Sequence, residues 1–223
     1  MTAFVAAAVG LAKEARIARK AGLVPVIGAG NSRLLMRRLK AMAPGAKGLV
    51  SLGIAGALAP LPQVGDAVIA SHVVAGREHY ACDPAWSRVL RTKLPEAHSV
   101  VMAGVDAPAG HIGVKKDLFR ETGGHAVDME SHVAARFAAE HGIPFVVLRV
   151  ISDDAHRTLP PAALERLSVK GNPRMWAITR SMLRERGQLR ELIRTAHEAG
   201  AAFKTLLRCL EILGPGLGCP YLG

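Results

Sequence analysis

Phe145-Val-Val-Leu-Arg-Val-Ile-Ser-Asp-Asp154 is a largely apolar run that ends abruptly in hydroxyl and carboxylate groups. A strand with one wet face alternates apolar and polar residues. Phe145–Ile151 is too continuous for that, and reads as a central strand covered on both sides. Working outward, similar short runs recur at Phe4–Val9, Val24–Ile27, Gly48–Leu52, Ala67–Val74, Val100–Ala103 and Ala126–Met129. Helical stretches lie between them at Lys13–Lys20, Ser32–Met42, Val114–Glu121 and Glu130–His141. The last carries Val133, Ala134, Phe137 and Ala138 as an apolar stripe, and Gly142-Ile-Pro144 ends it. This alternation predicts an α/β fold, a central mixed and twisted sheet flanked by helices.

From Ala162 onward the chain reads as mainly helical. Ile178, Met182, Leu189, Leu192, Ile193, Ala196, Leu206, Leu207 and Leu210 supply apolar faces between arginines. No repeat or linker divides the chain. One domain is expected over residues 1–213, with 162–213 as its helical part and the Gly- and Pro-rich 214–223 as a loose tail.

Half of the 223 residues are apolar but only 4% are aromatic, so Ala, Val, Leu and Ile must build the core. No apolar run reaches the roughly 18 residues needed to span a bilayer. Met1–Gly10 lacks a basic leader and is followed at once by Lys13, Glu14 and Arg16, which suits a first buried strand of a cytoplasmic protein. Cys82, Cys209 and Cys219 are spaced as isolated thiols, neither a disulfide framework nor a metal knuckle. The nine histidines show no HxxxH or HExxH spacing, so no metal is expected. A net charge of +11 will attract nucleic acid, acidic lipid or phosphate. The excess is concentrated in Arg180, Arg184, Arg186, Arg190, Arg194, Lys204 and Arg208. With no RNA-binding signature and few aromatics for stacking, nucleic acid is not an expected partner.

Three segments carry groups suited to chemistry. Ser51–Pro60, followed by Val64-Gly65-Asp66, is Gly-rich at a strand's end, where a backbone can approach a ligand closely or simply turn. Ala126–Ser131 places Asp128 and Glu130 on either side of Met129. A carboxylate can accept both vicinal hydroxyls of a sugar, and a methionine offers a soft surface to a sugar or base. The same residues equally suit a helix cap and a first helical turn. Val147–Asp154 delivers Ser152 and Asp153 to a strand tip, where α/β sheets bind ligands or where a cap would form.

Taken together, GIAGAL (53–58) with VGD (64–66), VDMES (127–131) and LRVISDDA (148–155) resemble the purine/uridine phosphorylase family. The nearest branch is the methylthioadenosine/S-adenosylhomocysteine nucleosidases, over roughly Phe4 to Ala155. The resemblance implies cleavage of the N-glycosidic bond of a nucleoside. It implies that Met129 and Glu130 hold the ribose, with Asp128 beside them. Asp153 would protonate N7 of the purine, oriented by Ser152 and Arg149, with Ala55 and Gly56 lining ribose and base. Glu14, soon after Gly10, falls at or next to the glutamate that positions an attacking water. An acid at Asp153 also tolerates a 6-amino purine, which points to adenine.

Some features depart from the family. Ile54 stands where the nucleosidase motif has serine, and Lys20–Gly28 leaves little room for the usual hairpin. No clear phosphate cradle is legible; Ser32 and Arg33, with Arg16, are the candidates, because arginine forks suit phosphate oxygens. Hydrolysis and phosphorolysis both stay open. No cofactor is implied, with phosphate as a conceivable co-substrate. GLAKEARIA (10–18), GAGNS (28–32), SDDAHRTLPPAAL (152–164) and the Arg-rich end further resemble the hopanoid-associated nucleoside phosphorylases, which release adenine from adenosylhopane. That branch implies a lipid-linked nucleoside and peripheral contact with an anionic membrane through the basic helices. The family further implies a homo-oligomer, at least a dimer. The competing readings are a nucleosidase for small thioether nucleosides and a non-catalytic membrane or nucleic-acid binder that reuses the fold.

Overall fold

The computed structural model describes residues 3–42, 44–164, 168, 170–172 and 189–222. In chain order these form β1 (Phe4–Val9), α1 (Ala12–Lys20), β2 (Val24–Ile27), α2 (Ser32–Met42), β3 (Ala46–Ala57), β4 (Ala67–Ala75) and β5 (Glu78–Ala81). There follow α3 (Pro84–Lys93), β6 (His98–Gly104), α4 (Ile112–Thr122), β7 (Ala126–Asp128), α5 (Ser131–His141), β8 (Phe145–Asp153) and α6 (Leu189–Leu213). Short 3-10 turns occupy Pro161–Leu164 and Pro215–Gly218.

The eight strands form one mixed sheet, as expected. β3 organises it. Its first half pairs parallel with β1, its tip pairs antiparallel with β7, and β8 runs parallel along its other edge. β8 also pairs antiparallel with β4, β4 parallel with β6, and β6 parallel with β7. The ring β3–β8–β4–β6–β7 therefore closes on itself, while β1–β2 and β5 extend it as wings. All nine residues of β8 are buried, as expected for its largely apolar run, and the burial includes Arg149, Ser152 and Asp153.

Alternation along the strands feeds two apolar layers. Val5, Ala7 and Val9 of β1 and Val146, Leu148 and Val150 of β8 face α1, α3 and α6. Ala6 and Ala8, with Phe145, Val147 and Ile151, face α2 and α5. Small side chains dominate β1 and α5, so helices can lie close to the sheet without aromatics.

Three expectations are corrected. β3 does not stop at Leu52: the Gly-rich segment placed at or beyond the strand's end continues as strand to Ala57, because β8 and β7 supply partners. β5 and α3 were not anticipated, although Asp83-Pro84 is a start signal: Asp83 accepts a hydrogen bond from the Trp86 amide at 2.7 Å, with proline at the first helical position. The end of the chain is not a loose tail up to Leu222. Gly216 and Leu217 adopt left-handed backbone and fold the chain back, burying Leu217 completely. Trp86 Nε1 donates to the Leu217 carbonyl at 3.0 Å, and the Tyr221 hydroxyl reaches Asp83 at 2.9 Å.

Ile178, Met182, Arg180, Arg184 and Arg186 lie outside the described residues. Within them, no helix is long and apolar enough to cross a membrane, and no group of three or more His, Cys, Asp or Glu is placed to hold a metal. The three cysteines are free and buried.

Candidate active site

The ends of β1, β3, β7 and β8 surround a cavity of about 190 Å³. It is lined by Glu14, Ala55, Gly56, Asp128, Met129, Glu130, Ser152 and Asp153, together with the apolar Leu11, Ile54, Val105, Pro108, Ala109, Val127 and Leu159 and with Gly10 and Gly30.

Glu14 sits in the first turn of α1 and folds back over the end of β1. One carboxylate oxygen accepts the Gly10 and Leu11 amides, both at 2.8 Å, and the other accepts the Ile54 amide at 2.9 Å. Its reach across to β3 requires Gly53: a Cβ there would lie 2.1 Å from Glu14 Oε1, and φ is +150°. Burial pushes the Glu14 carboxyl above its ordinary value, against Arg149 and the amide donors. The Ile54 side chain brings no polar group, but its backbone N–H does.

Glu130 enters from the β7–α5 junction, close enough to Gly10 that a Cβ there would meet its Oε1 at 2.7 Å. Burial raises its pKa to about 7; Arg149 opposes this, and Asp128 and Glu14 add to it. Met129 reaches Gly30, whose Cβ would stand 3.4 Å from the methionine methyl. Arg149 rises from the middle of β8 into this acidic cluster. It pairs with Asp128 at 2.7 Å and Glu130 at 3.4 Å, and donates to Ser51 Oγ at 2.7 Å and the Ile54 carbonyl at 3.3 Å. Asp128 also accepts the Ser131 amide at 3.0 Å and the Ser131 hydroxyl, so it serves the start of α5 as well.

Asp153 ends β8 against Gly56, where a Cβ would approach its carboxyl to 2.9 Å. Ser152 Oγ lies 3.1 Å from Asp153 Oδ1 and 3.2 Å from the Ala55 carbonyl. The other oxygen, Oδ2, accepts Lys115 Nζ at 2.6 Å. Arg149 does not orient Asp153, contrary to the expectation. Among the described contacts its guanidinium is engaged by Asp128, Glu130, Ser51 and the Ile54 carbonyl instead. Lys115 takes the place assigned to it. A lysine in a helix reads as solvated, yet Lys115 shares the less exposed stripe of α4 with Ile112 and Leu118, a signal available in the spacing.

The remaining candidates fall elsewhere. Ser32 begins α2 and donates to Asp106, beside His132, and Arg33 is exposed; neither lines the cavity. The Ser32 hydroxyl is hydrogen-bonded to the Asp106 carboxylate. Arg16 is likewise exposed.

Solved structures share this architecture. Futalosine hydrolase of Helicobacter pylori superposes with a TM-score of 0.70 at 14% identity, over 95% of this chain and 97% of that one. A variant of the Helicobacter pylori 5′-methylthioadenosine/S-adenosylhomocysteine nucleosidase, solved with 5′-methylthioadenosine in its active site, gives 0.65 at 16% identity over 95% and 99%. The Campylobacter jejuni 5′-methylthioadenosine/S-adenosylhomocysteine nucleosidase gives 0.63 at 13% over 92% and 99%. At such identities the likeness concerns the fold. No curated protein matches the sequence. The sequence pattern of the Phosphorylase superfamily, however, matches residues 8–184, most of the chain and all of the cavity's lining, and this chain therefore belongs to that superfamily of enzymes.

Proposed function

We propose that this enzyme cleaves the N-glycosidic bond of an adenine nucleoside. The observation that carries the reading is the convergence of Glu14 from α1, Met129 and Glu130 from the β7–α5 junction, and Asp153 from β8 on one small cavity. Glu130 receives the ribose hydroxyls and Met129 covers the sugar. As the bond breaks, its electron pair passes to the base and positive charge grows on the sugar. Asp153 delivers a proton to N7, a contribution general acids make worth about 10² to 10⁴-fold. Glu14 takes the proton of an attacking water.

Water is the nucleophile in this reading. Among the described residues, the cavity's lining holds no Arg, Lys or His to receive the charge of a phosphate. The proposed substrate is adenosylhopane: Leu11, Val105, Pro108, Ala109 and Leu159 give the cavity an apolar wall suited to a hydrocarbon 5′ group, and the Arg-rich C-terminal region suits contact with an anionic membrane. A cytoplasmic enzyme, at least dimeric and peripheral to the membrane, belongs to the same proposal. The neighbouring nucleosidase folds favour a second reading, a small thioether nucleoside.

Adenine release from adenosylhopane, 5′-methylthioadenosine and S-adenosylhomocysteine, each with and without phosphate, tests these points. The lipid nucleoside should turn over fastest and without phosphate. Preference for the thioethers removes the lipid, and phosphate dependence removes water as nucleophile. No adenine from any of them refutes the reading.

A further inference from the structure

Lys115 is the only buried residue of α4, and its side chain is fully enclosed. Burying an ammonium costs several kcal/mol unless it is paired, and an apolar side chain of similar volume usually serves stability as well or better. A helix that docks through a lysine is therefore spending stability on something. Its Nζ donates to Asp153 Oδ2 at 2.6 Å and to the Asp154 carbonyl. Lys115 does not itself line the cavity, whereas Asp153 does. Among the described residues, the one side chain that pairs with the ammonium is thus the one assigned to the leaving base.

We propose that Lys115 is the proton source behind Asp153. This rests on the reading of Asp153 as the group that protonates the purine. In the resting site a proton already lies on the 2.6 Å line between Lys115 Nζ and Asp153 Oδ2, with no water needed to bring it. As the glycosidic bond lengthens and negative charge collects on the purine, Nζ passes a proton to Oδ2. The neutral carboxyl so formed passes it to N7. Lys115 is left as the neutral amine, adenine leaves protonated, and solvent returns the proton to Nζ when the site opens. The Asp154 carbonyl and the enclosing wall of α4 hold Nζ on Asp153 throughout, and Ser152 fixes the other carboxyl oxygen. Lys115 is a positioning residue with a proton to lend; it acts on the substrate only through Asp153.

The test compares leaving groups. One probe is whichever of adenosylhopane, 5′-methylthioadenosine and S-adenosylhomocysteine turns over fastest. The other is the 4-nitrophenyl β-riboside with the same 5′ group, whose nitrophenolate departs without a proton. Lys115→Met and Lys115→Arg should each lower adenine release by about 10²-fold or more. Nitrophenolate release should stay within about tenfold of the parent enzyme. Arginine is the informative replacement, since it keeps a cation beside Asp153 but does not give up its proton. Normal adenine release from Lys115→Arg would overturn the proposal in favour of simple charge pairing. Equal losses on both substrates would overturn it in favour of a structural role. Thermal unfolding monitors the fold, and if Lys115→Met does not fold, the arginine variant carries the test alone. Asp153→Asn separates the two levels. If it releases adenine normally, the reading of Asp153 fails; if it does not while Lys115→Arg does, only the present inference fails.

Discussion

Glu130 sits among groups that pull its proton in opposite directions. Burial and the neighbouring Asp128 and Glu14 carboxyls outweigh Arg149, leaving a pKa of about 7 in place of 4.5. The folded chain therefore binds this proton more tightly than the unfolded chain does. Between about pH 4.5 and 7 the unfolded chain loses it first, so this carboxyl makes stability fall as pH rises through that window. By the size of the shift the loss is roughly 3 kcal/mol. Glu130→Gln should remove that part of the slope, so denaturant unfolding at pH 5 and pH 8 should differ less in the variant than in the parent. Equal slopes would show that Glu130 is not held protonated. The site tolerates this cost because the ionised form is the better acceptor for two hydroxyls. Accordingly Glu130→Ala and Asp153→Asn should each cut kcat/KM for adenine release by at least about 10²-fold with the fold intact. Unaltered turnover in either would remove its role. Much of this site was legible in the chain: Glu14, Met129, Glu130, Ser152 and Asp153 stand at strand ends or in a first helical turn, and all line the cavity. What escaped was pairing across the sheet. Nothing local assigns Arg149 to Asp128 rather than to Asp153, and nothing but its place on the inner stripe marks Lys115 as buried.

At the scale of elements, the long strand β3 decides whether those groups meet. Buried strands announce themselves by composition, so β1 and β8 were readable nearly to the residue. β5 was not, because Glu78, His79 and Tyr80 form a polar edge strand that owes its shape to β4. The extension of β3 through Gly53–Ala57 was hidden for a related reason: glycine disfavours strands unless a neighbour needs the room. Here Glu14 needs it. Gly53→Ala should destabilise the protein by about 1–3 kcal/mol, as overpacking does, and should lower turnover by displacing Glu14. Gly200 is the contrasting case. It lies inside α6 with open space where a Cβ would go. Gly200→Ala should therefore stabilise by about 0.5–1 kcal/mol without changing turnover. Thermal and denaturant unfolding of the two variants, side by side with activity, check both signs. If Gly53→Ala is silent, the close approach of α1 to β3 does not position Glu14.

For the whole molecule the open matter is how a chain of net charge +11 meets its substrate. α6 divides into two parts. Its later half lays Ala202, Phe203, Leu206, Cys209, Leu210 and Leu213 on the core, a helical stripe that anchors it. Its first turns instead expose Leu189 and Ile193 beside Arg190 and Arg194, apolar and basic groups on one accessible stretch. That combination suits an interface with anionic lipid, where each basic residue near the surface is worth about 1 kcal/mol and buried apolar area adds to it. Arg194 spends part of its charge on Glu198, at 2.9 Å, so Arg190 and the apolar pair should matter more. Sedimentation with phosphatidylglycerol vesicles should show binding that weakens with salt and is absent with phosphatidylcholine alone. Arg190→Glu with Arg194→Glu should weaken it by about tenfold or more, since each reversal replaces attraction by repulsion. Leu189→Ser with Ile193→Ser should weaken it less but independently of salt. Turnover of 5′-methylthioadenosine, if the enzyme accepts it, should be unchanged in all four substitutions, because the cavity lies on other elements. Unchanged vesicle binding would leave the basic excess without a membrane role, and the lipid-linked substrate would then stand on the apolar cavity wall alone.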